Sequence, residues 1–412
     1  MQNEDIIFEQ LPGMRRSLRI AIVTETYPPE VNGVAMTVAR FIDGLRRCNH
    51  DIQLIRPRQG AGDQAGKQDN LNEVLMQGLP IPRYPGLKMG LPSKKTLEKL
   101  WTLHRPDLIH IVTEGPLGWS ALQAAIKLRL PVSSDFRTNF HAYSRHYGVG
   151  WLTKPIASYL RKFHNRTLLT MVPTEAMRAN LAAMGFNNLK VVARGVDTRL
   201  FNPSLRSDHL RSSWGAQAGD PVVIHVGRLA PEKNLQVLID ACEAMRRRQP
   251  RTKLVFVGDG PARQALQARC PSAVFAGTRT GGDLAMHYAS GDLFLFPSLT
   301  ETFGNVTLEA MASGLAVVAY NYAAAAAHIA HGRSGLLAPY DNAVEFERLS
   351  ADLVADRGRI ADLGLNARRC AEELDWDRVI QQLEALLRGV STLHRNSLDR
   401  HTRSLLSAPL GG

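Results

Sequence analysis

The stretch Asp292-Leu-Phe-Leu-Phe-Pro297-Ser-Leu-Thr-Glu301-Thr-Phe-Gly304-Asn305-Val-Thr-Leu-Glu309-Ala-Met-Ala-Ser-Gly314 decides how this chain is read. A short apolar run that stops at proline reads as a buried parallel strand, Asp292–Pro297. A loop with Glu301 follows. Gly304-Asn305 then open a helix whose first-turn N–H groups have no intrahelical acceptor. Glu309 lies about one turn inside that helix. Two carboxylates flanking free amides suit a ligand that offers hydroxyls and negative charge together, such as a sugar bearing phosphate. The alternative is a helix-dipole glutamate beside a solvated one.

Upstream, His225-Val-Gly227-Arg228-Leu-Ala-Pro-Glu-Lys233-Asn234 repeats the same grammar. A strand, Val222–Val226, ends in a glycine turn, and Arg228 and Lys233 leave a loop that opens a helix. Two cations beside a helix N-terminus make an anion site suited to a diphosphate; a surface ion-pair role is the other reading. Val255-Phe-Val-Gly258-Asp-Gly260-Pro261 resembles half of a dinucleotide fingerprint. Arg263 stands where the third glycine belongs, so a nicotinamide enzyme is a weak reading.

Further strands are expected at Leu18–Val23, Asp51–Ile55, Leu108–Val112, Val132–Asp135, Thr170–Val172, Lys253–Val257, Ala273–Ala276 and Ala316–Ala319. Helical patterns lie between most of them, including Val34–Leu45, Asn234–Arg247 and one from Pro261. Strands alternating with helices mean βαβ units on parallel sheets. The chain has 412 residues, enough for two such domains. The expected organisation is an extension over 1–17, an α/β domain over 18–202, a polar linker over 203–220 and a second α/β domain over 221–375. A crossover helix over 376–390 and a frayed tail over 391–412 complete it. Two facing α/β units would leave a ligand cleft between them.

With 44% apolar and 21% charged residues, the chain is neither collagen-like nor a coiled coil nor broadly disordered. Cys48, Cys242, Cys270 and Cys370 share no C-x-x-C spacing, which argues against a zinc knuckle and fits a reducing compartment. Residues 1–17 carry Glu4, Asp5 and Glu9 and do not read as a secretory signal. The longest stretch without Asp, Glu, Lys or Arg, Ala310–Gly332, reads as a buried helix, strand and loop rather than a membrane span. Net charge is +12, of which +11 lies in residues 1–200; residues 121–200 hold 12 basic and 3 acidic side chains. That asymmetry points to an anionic partner for one half only: phosphorylated substrate, anionic lipid or nucleic acid. In Thr153–Arg166, Ile156, Tyr159, Leu160 and Phe163 fall on one helical face, with Lys154, Arg161, Lys162 and Arg166 largely on the other. Such a helix could lie on an anionic leaflet with its apolar side down; a core-facing helix with a solvated basic face is the alternative.

Taken together, these segments resemble the retaining glycosyltransferases of family 4. The resemblance spans roughly Arg19 to Leu387 and is strongest from Val222 to Pro339. The family's E-x7-E motif stands as Glu301 and Glu309, its R-x4-K pair as Arg228 and Lys233, and its N-terminal glycine loop as Pro28-Pro-Glu-Val-Asn-Gly33-Val. Ser133–Gly148 and Gly277–Ser298 resemble the lipid-directed members, such as GDP-mannose-dependent α-mannosyltransferases and sulfoquinovosyl-diacylglycerol synthases.

The fold this resemblance implies is two facing Rossmann-like domains, the GT-B architecture. The implied activity is transfer of a hexose from a GDP- or UDP-sugar to a membrane lipid, with a glycan or soluble sugar as alternative acceptor. Sugar-nucleotide epimerase and nucleic-acid-binding readings are weaker, and no nucleic-acid module is recognised. The resemblance implies catalytic roles for Arg228, Lys233 and Glu301. It assigns donor contacts to Gly33, Gly227, Arg279, Phe303, Gly304, Asn305, Val306 and Glu309. No metal or other cofactor is implied, and the expected location is the cytoplasmic membrane face. Where the phosphatidylinositol mannosyltransferases of the family carry an H-x-H-E-P segment, this chain departs from it with His110-Ile-Val-Thr-Glu114-Gly-Pro116. The second histidine's role is therefore open, with Glu114 or His141 as candidates, and His110 reads more readily as a satisfied strand-end histidine than as an acceptor-side residue. Ala323–Ala327 and His328 stand where the family places glycines and an acid, which alters sugar contacts or is only a helix start.

Overall fold

The computed structural model describes residues 16–30, 33–60, 62–81, 84–137, 153–301 and 303–406. In chain order the strands are β1 (Arg19–Val23), β2 (Asp51–Pro57), β3 (Lys67–Gln68), β4 (Leu71–Met76), β5 (Gly78–Ile81), β6 (Tyr84–Gly90), β7 (Leu108–Ile111) and β8 (Val132–Asp135). They continue with β9 (Leu169–Val172), β10 (Leu189–Val191), β11 (Val222–Val226), β12 (Lys253–Val257), β13 (Val274–Gly277), β14 (Leu293–Phe296), β15 (Ala316–Tyr320) and β16 (Leu336–Ala338). The first sheet has eight strands in the order β10-β9-β8-β7-β1-β2-β4-β3, and the second has six in the order β13-β12-β11-β14-β15-β16. Each observed pairing in the second sheet is parallel. In the first sheet β2, β1 and β7 pair parallel while β3 runs antiparallel on β4. Contacts group the chain into two compact units, one of 1–30, 38–133 and 386–412, the other of 31–37 and 134–385.

The second unit shows why these residues become buried strands. β11, β14 and β15 are buried at every position, so both faces need apolar side chains and the sequence runs apolar without alternation. One core packs Ile224, Val255, Phe294 and Val317 under the Asn305–Ala312 helix; the other packs Val223, Leu254, Leu295 and Val318 under Leu235–Arg248. His225 interrupts β11 yet is fully buried, stacked near Phe294 and Phe296. Burial holds its pKa down to about 4, so it sits there neutral.

Three expectations change. The polar stretch 203–220 is packed rather than a free linker. It forms a 3₁₀ turn (Pro203–Leu205) and a helix (Asp208–Ser213), with Arg206 and Arg211 both paired to Asp292. The last helix runs Trp376–Leu406, well past 390, so the stretch expected as a frayed tail from 391 is helical as far as Leu406, and 407–412 lie outside the described residues. Leu387 and Val390 are buried along it, and the His394 ring meets the Arg129 carbonyl at 2.9 Å, which explains the extension. The Thr153–His164 helix does not offer its apolar face to a membrane. Leu160 and Phe163 are buried, and Leu160 packs in a cluster with Phe136, Val172, Leu181 and Phe186. Its basic side chains Lys154, Arg161 and Lys162 stay exposed. Among the described residues no helix is long and apolar enough to cross a membrane.

Candidate functional site

In the second unit, the carboxyl ends of β11 and β14 carry the chemistry-bearing loops. The turn after β11 is held by its neighbour: Gly227 N donates to Val257 O at 3.0 Å. A side chain at Gly258 would place its Cβ 2.0 Å from the Gly227 carbonyl, and at Gly260 2.4 Å from that of Leu229. The Gly258-Asp-Gly260 glycines therefore let two turns touch, which accounts for them without a dinucleotide.

Arg228 is exposed on that turn, and Lys233 follows on the 3₁₀ turn Pro231–Lys233. Asn234 takes the left-handed conformation (φ 53°) that starts the next helix. Lys233 Nζ pairs with Glu301 Oε1 and lies 5.6 Å from the centre of the Phe296 ring. Glu301 is further fixed by Ser298 Oγ, which donates to Oε1 at 2.8 Å, and by Tyr322 OH, which donates to its carbonyl at 3.0 Å. Gly304 adopts φ 92°, open to glycine at little cost, and caps the Asn305–Ala312 helix. Phe303 is buried below it, its carbonyl accepting from Ala324 N at 2.8 Å. The Ala323–His328 segment is thus a helix start that supports the loop.

One turn on, Glu309 accepts from Tyr288 OH at 2.9 Å. Burial pushes the Glu309 carboxyl up to about 7, so near neutrality it exchanges between an acceptor and a donor form. The carbonyl of Val306 lies 3.5 Å from the same hydroxyl. Arg279 spends its guanidinium locally, on the Ala276 carbonyl and Asp283. Gly33 opens the Gly33–Arg47 helix, and a Cβ there would lie 3.6 Å from Asn305 Nδ2. Lys233, Glu301, Phe303, Gly304, Asn305 and Gly33 are therefore gathered around one helix start, with Glu309 a turn further in.

Sequence reasoning missed Arg194. It is 4% exposed, donates from Nη1 to Asn305 Oδ1 at 3.0 Å and lies 5.4 Å from the Phe303 ring centre. Burial, then repulsion from Arg137, holds its pKa down to about 9. The buried pair Asp135–Arg137 (2.6 Å) was missed as well. A lone arginine between an apolar strand and Gly195-Val-Asp was the only signal.

In the first unit the strand ends collect acid instead. His110 on β7 is buried, with Nδ1 2.9 Å from Ser133 Oγ. Glu114 is buried just past the strand. Glu25, also missed, accepts from Leu117 N at 3.0 Å and so caps the Pro116–Lys127 helix. Desolvation, with the Glu114 charge adding to it, pushes the Glu25 carboxyl up to about 7. His141 lies outside the described residues.

Comparison with known proteins resolves the family. Residues 31–200 match the model of Glycosyltransferase Family 4, and 220–356 that of Glycosyl transferases group 1. A GDP-mannose-dependent alpha-mannosyltransferase of Mycolicibacterium smegmatis is 34% identical, over 90% of this chain and 98% of the relative. The chain belongs to glycosyltransferase family 4. Within that family, it is 28% identical to a GDP-mannose-dependent alpha-(1-6)-phosphatidylinositol monomannoside mannosyltransferase of Mycobacterium tuberculosis, over 90% and 98% of the two chains. The family 4 enzyme also shares the fold of sucrose-phosphate synthase from Thermosynechococcus elongatus. The TM-score is 0.76 at 19% identity, over 92% of this chain and all of the other.

Proposed function

We propose that this family 4 enzyme transfers a hexose from a GDP- or UDP-sugar, with retention of configuration, to a membrane lipid. The observation that carries the donor half is the Lys233–Glu301 pair set against the Asn305 helix start. In the ligand-free protein these charges satisfy each other. A diphosphate would draw Lys233 Nζ onto its oxygens and release Glu301 Oε1 to accept from sugar hydroxyls. Arg228, exposed on the neighbouring turn, would add a second cation as negative charge develops on the leaving diphosphate. The first-turn amides at Phe303, Gly304 and Asn305 would donate to the same ligand. Glu309 would take the ribose hydroxyls. The bond from the anomeric carbon to the diphosphate oxygen breaks as the acceptor oxygen attacks from the same face, and the acceptor proton passes to the departing diphosphate. No step requires a metal.

The lipid acceptor is supported by likeness to the phosphatidylinositol monomannoside mannosyltransferase and by the excess of basic residues over 121–200. The exposed Lys154, Arg161, Lys162 and Arg166 would rest against anionic headgroups at the cytoplasmic face, by charge alone. A panel of GDP- and UDP-sugars offered with diacylglycerol, phosphatidylinositol and soluble glycans, followed by mass spectrometry, tests the reading. A hexose added to lipid is expected. Transfer only to soluble sugars would remove the lipid assignment, and no transfer from any nucleotide sugar would remove the donor assignment.

A further inference from the structure

The second unit contains a buried cation that the proposed chemistry has not used. We propose that Arg194 is a further donor-binding residue, reading the diphosphate from below through the space at Gly33 and holding Asn305 in the orientation that faces it. The inference rests on the nucleotide-sugar reading and adds to it a residue outside the Arg228, Lys233, Glu301 and Glu309 motifs.

Three observations converge. First, Arg194 is poorly compensated. Its one hydrogen bond goes to the neutral amide of Asn305, and its buried Nε has no partner among the described residues. The carboxylates that act on it through space are committed elsewhere, Asp135 to Arg137 and Glu301 to Lys233. A buried cation left this way is destabilising in the empty protein, so its presence calls for an anion that arrives later. Second, Arg194 sets the Asn305 amide. Because Oδ1 accepts from the guanidinium, Nδ2 is turned toward Gly33, and the group presents a donor there. Third, two helix starts meet at this point. A Cβ at Gly33 would lie 3.5 Å from Arg194 Nη1 and 3.6 Å from Asn305 Nδ2, so among the described residues the absent side chain leaves a space edged by two donors. Gly33 opens one helix and Asn305 the other, and both ends carry partial positive charge. A space edged by a guanidinium, an amide NH₂ and two helix starts suits a doubly charged oxyanion, and a neutral hydroxyl gains little there.

The test is calorimetric titration of the full chain with GDP, UDP and inorganic diphosphate, and with guanosine and uridine by competition, alongside ligand-free thermal unfolding. Arg194→Met should weaken nucleoside diphosphate and inorganic diphosphate about tenfold or more and leave nucleoside binding within about twofold. Its ligand-free unfolding temperature should be unchanged or higher, because the variant removes an uncompensated buried charge. A structural arginine would do the reverse, lowering the unfolding temperature and weakening nucleoside and diphosphate together; that outcome overturns the inference. So does unchanged diphosphate affinity. Should Arg194→Met fail to fold, Gly33→Ala decides: its methyl makes only ordinary contacts in the empty protein, yet occupies the space assigned to the oxyanion. It should weaken diphosphate and spare nucleoside, and equal affinity for both overturns the inference. If the unaltered protein binds neither GDP nor UDP, the donor reading fails, while the inorganic diphosphate arm still decides Arg194.

Discussion

The carboxyl ends of the parallel strands are used in opposite ways in the two units. Lys233, beyond β11, pairs with Glu301 ahead of the helix start that follows β14, Arg194, beyond β10, bonds Asn305 at that start, and Arg228 is exposed on the turn after β11. After β1 and β7 the strand ends bring the charges of Glu25 and Glu114 near each other, and Glu25 caps a helix while holding its proton up to about 7. A helix start accepts either solution: one has no side-chain cap, the other spends an amide on an internal carboxyl. The contrast teaches that strand-end position alone does not define a phosphate site. On the proposed reading, a phosphate site also needs positive charge whose internal partner a ligand can replace.

The largest effect is expected at the Lys233–Glu301 pair itself. Lys233→Ala and Glu301→Ala should each lower turnover by about 10²–10³ with the fold intact by circular dichroism. Near-normal turnover in both would remove the donor assignment. The corresponding change on the acidic side should alter stability and its pH dependence. The Glu25 carboxyl moves from its ordinary 4.5 to about 7 on folding. Between those values the folded protein keeps a proton that the unfolded chain has released, so stability falls as pH rises from 4.5 to 7 and levels off above. Glu25→Gln keeps an acceptor for Leu117 N and removes the buried charge. It should raise stability by about 1–3 kcal/mol at pH 8 and flatten that part of the profile. Denaturant unfolding at pH 5 and pH 8 checks this, and an equal effect at both pH values would contradict the shift. The smallest effect concerns the basic face. Changing Arg161, Lys162 and Arg166 to Ser should weaken flotation with anionic liposomes by about 1 kcal/mol per residue. Equal binding to neutral vesicles would show that charge is not the cause.

Much of this was legible from sequence, for identifiable reasons. Val222–Val226 and Lys253–Val257 were read with their observed bounds because strands buried on both faces run largely apolar, and Val132–Asp135 matched too although its Ser133, Ser134 and Asp135 are buried polar residues. Leu71–Met76 was missed because Asn72 and Glu73 break the run, and Leu189–Val191 because three residues at a sheet edge give no period. The helix expected from Pro261 begins at Arg263, after a turn that lets Arg263 pair with Asp259. The stretch 203–220 reads as a linker by composition, yet Arg206 and Arg211 find Asp292, some eighty positions on. Arg194 fails for the same reason: whether an arginine is solvated or buried depends on distant Asn305 and Phe303, which local pattern does not encode.

On the proposed mechanism the second unit stabilises a departing diphosphate, without metal, while the acceptor oxygen attacks from the same face. NMR of the glycolipid made from an α-linked nucleotide sugar in the presence of EDTA tests this most directly. An α-linked product at an undiminished rate is expected. A β-linked product, or complete loss of activity in EDTA, would contradict it.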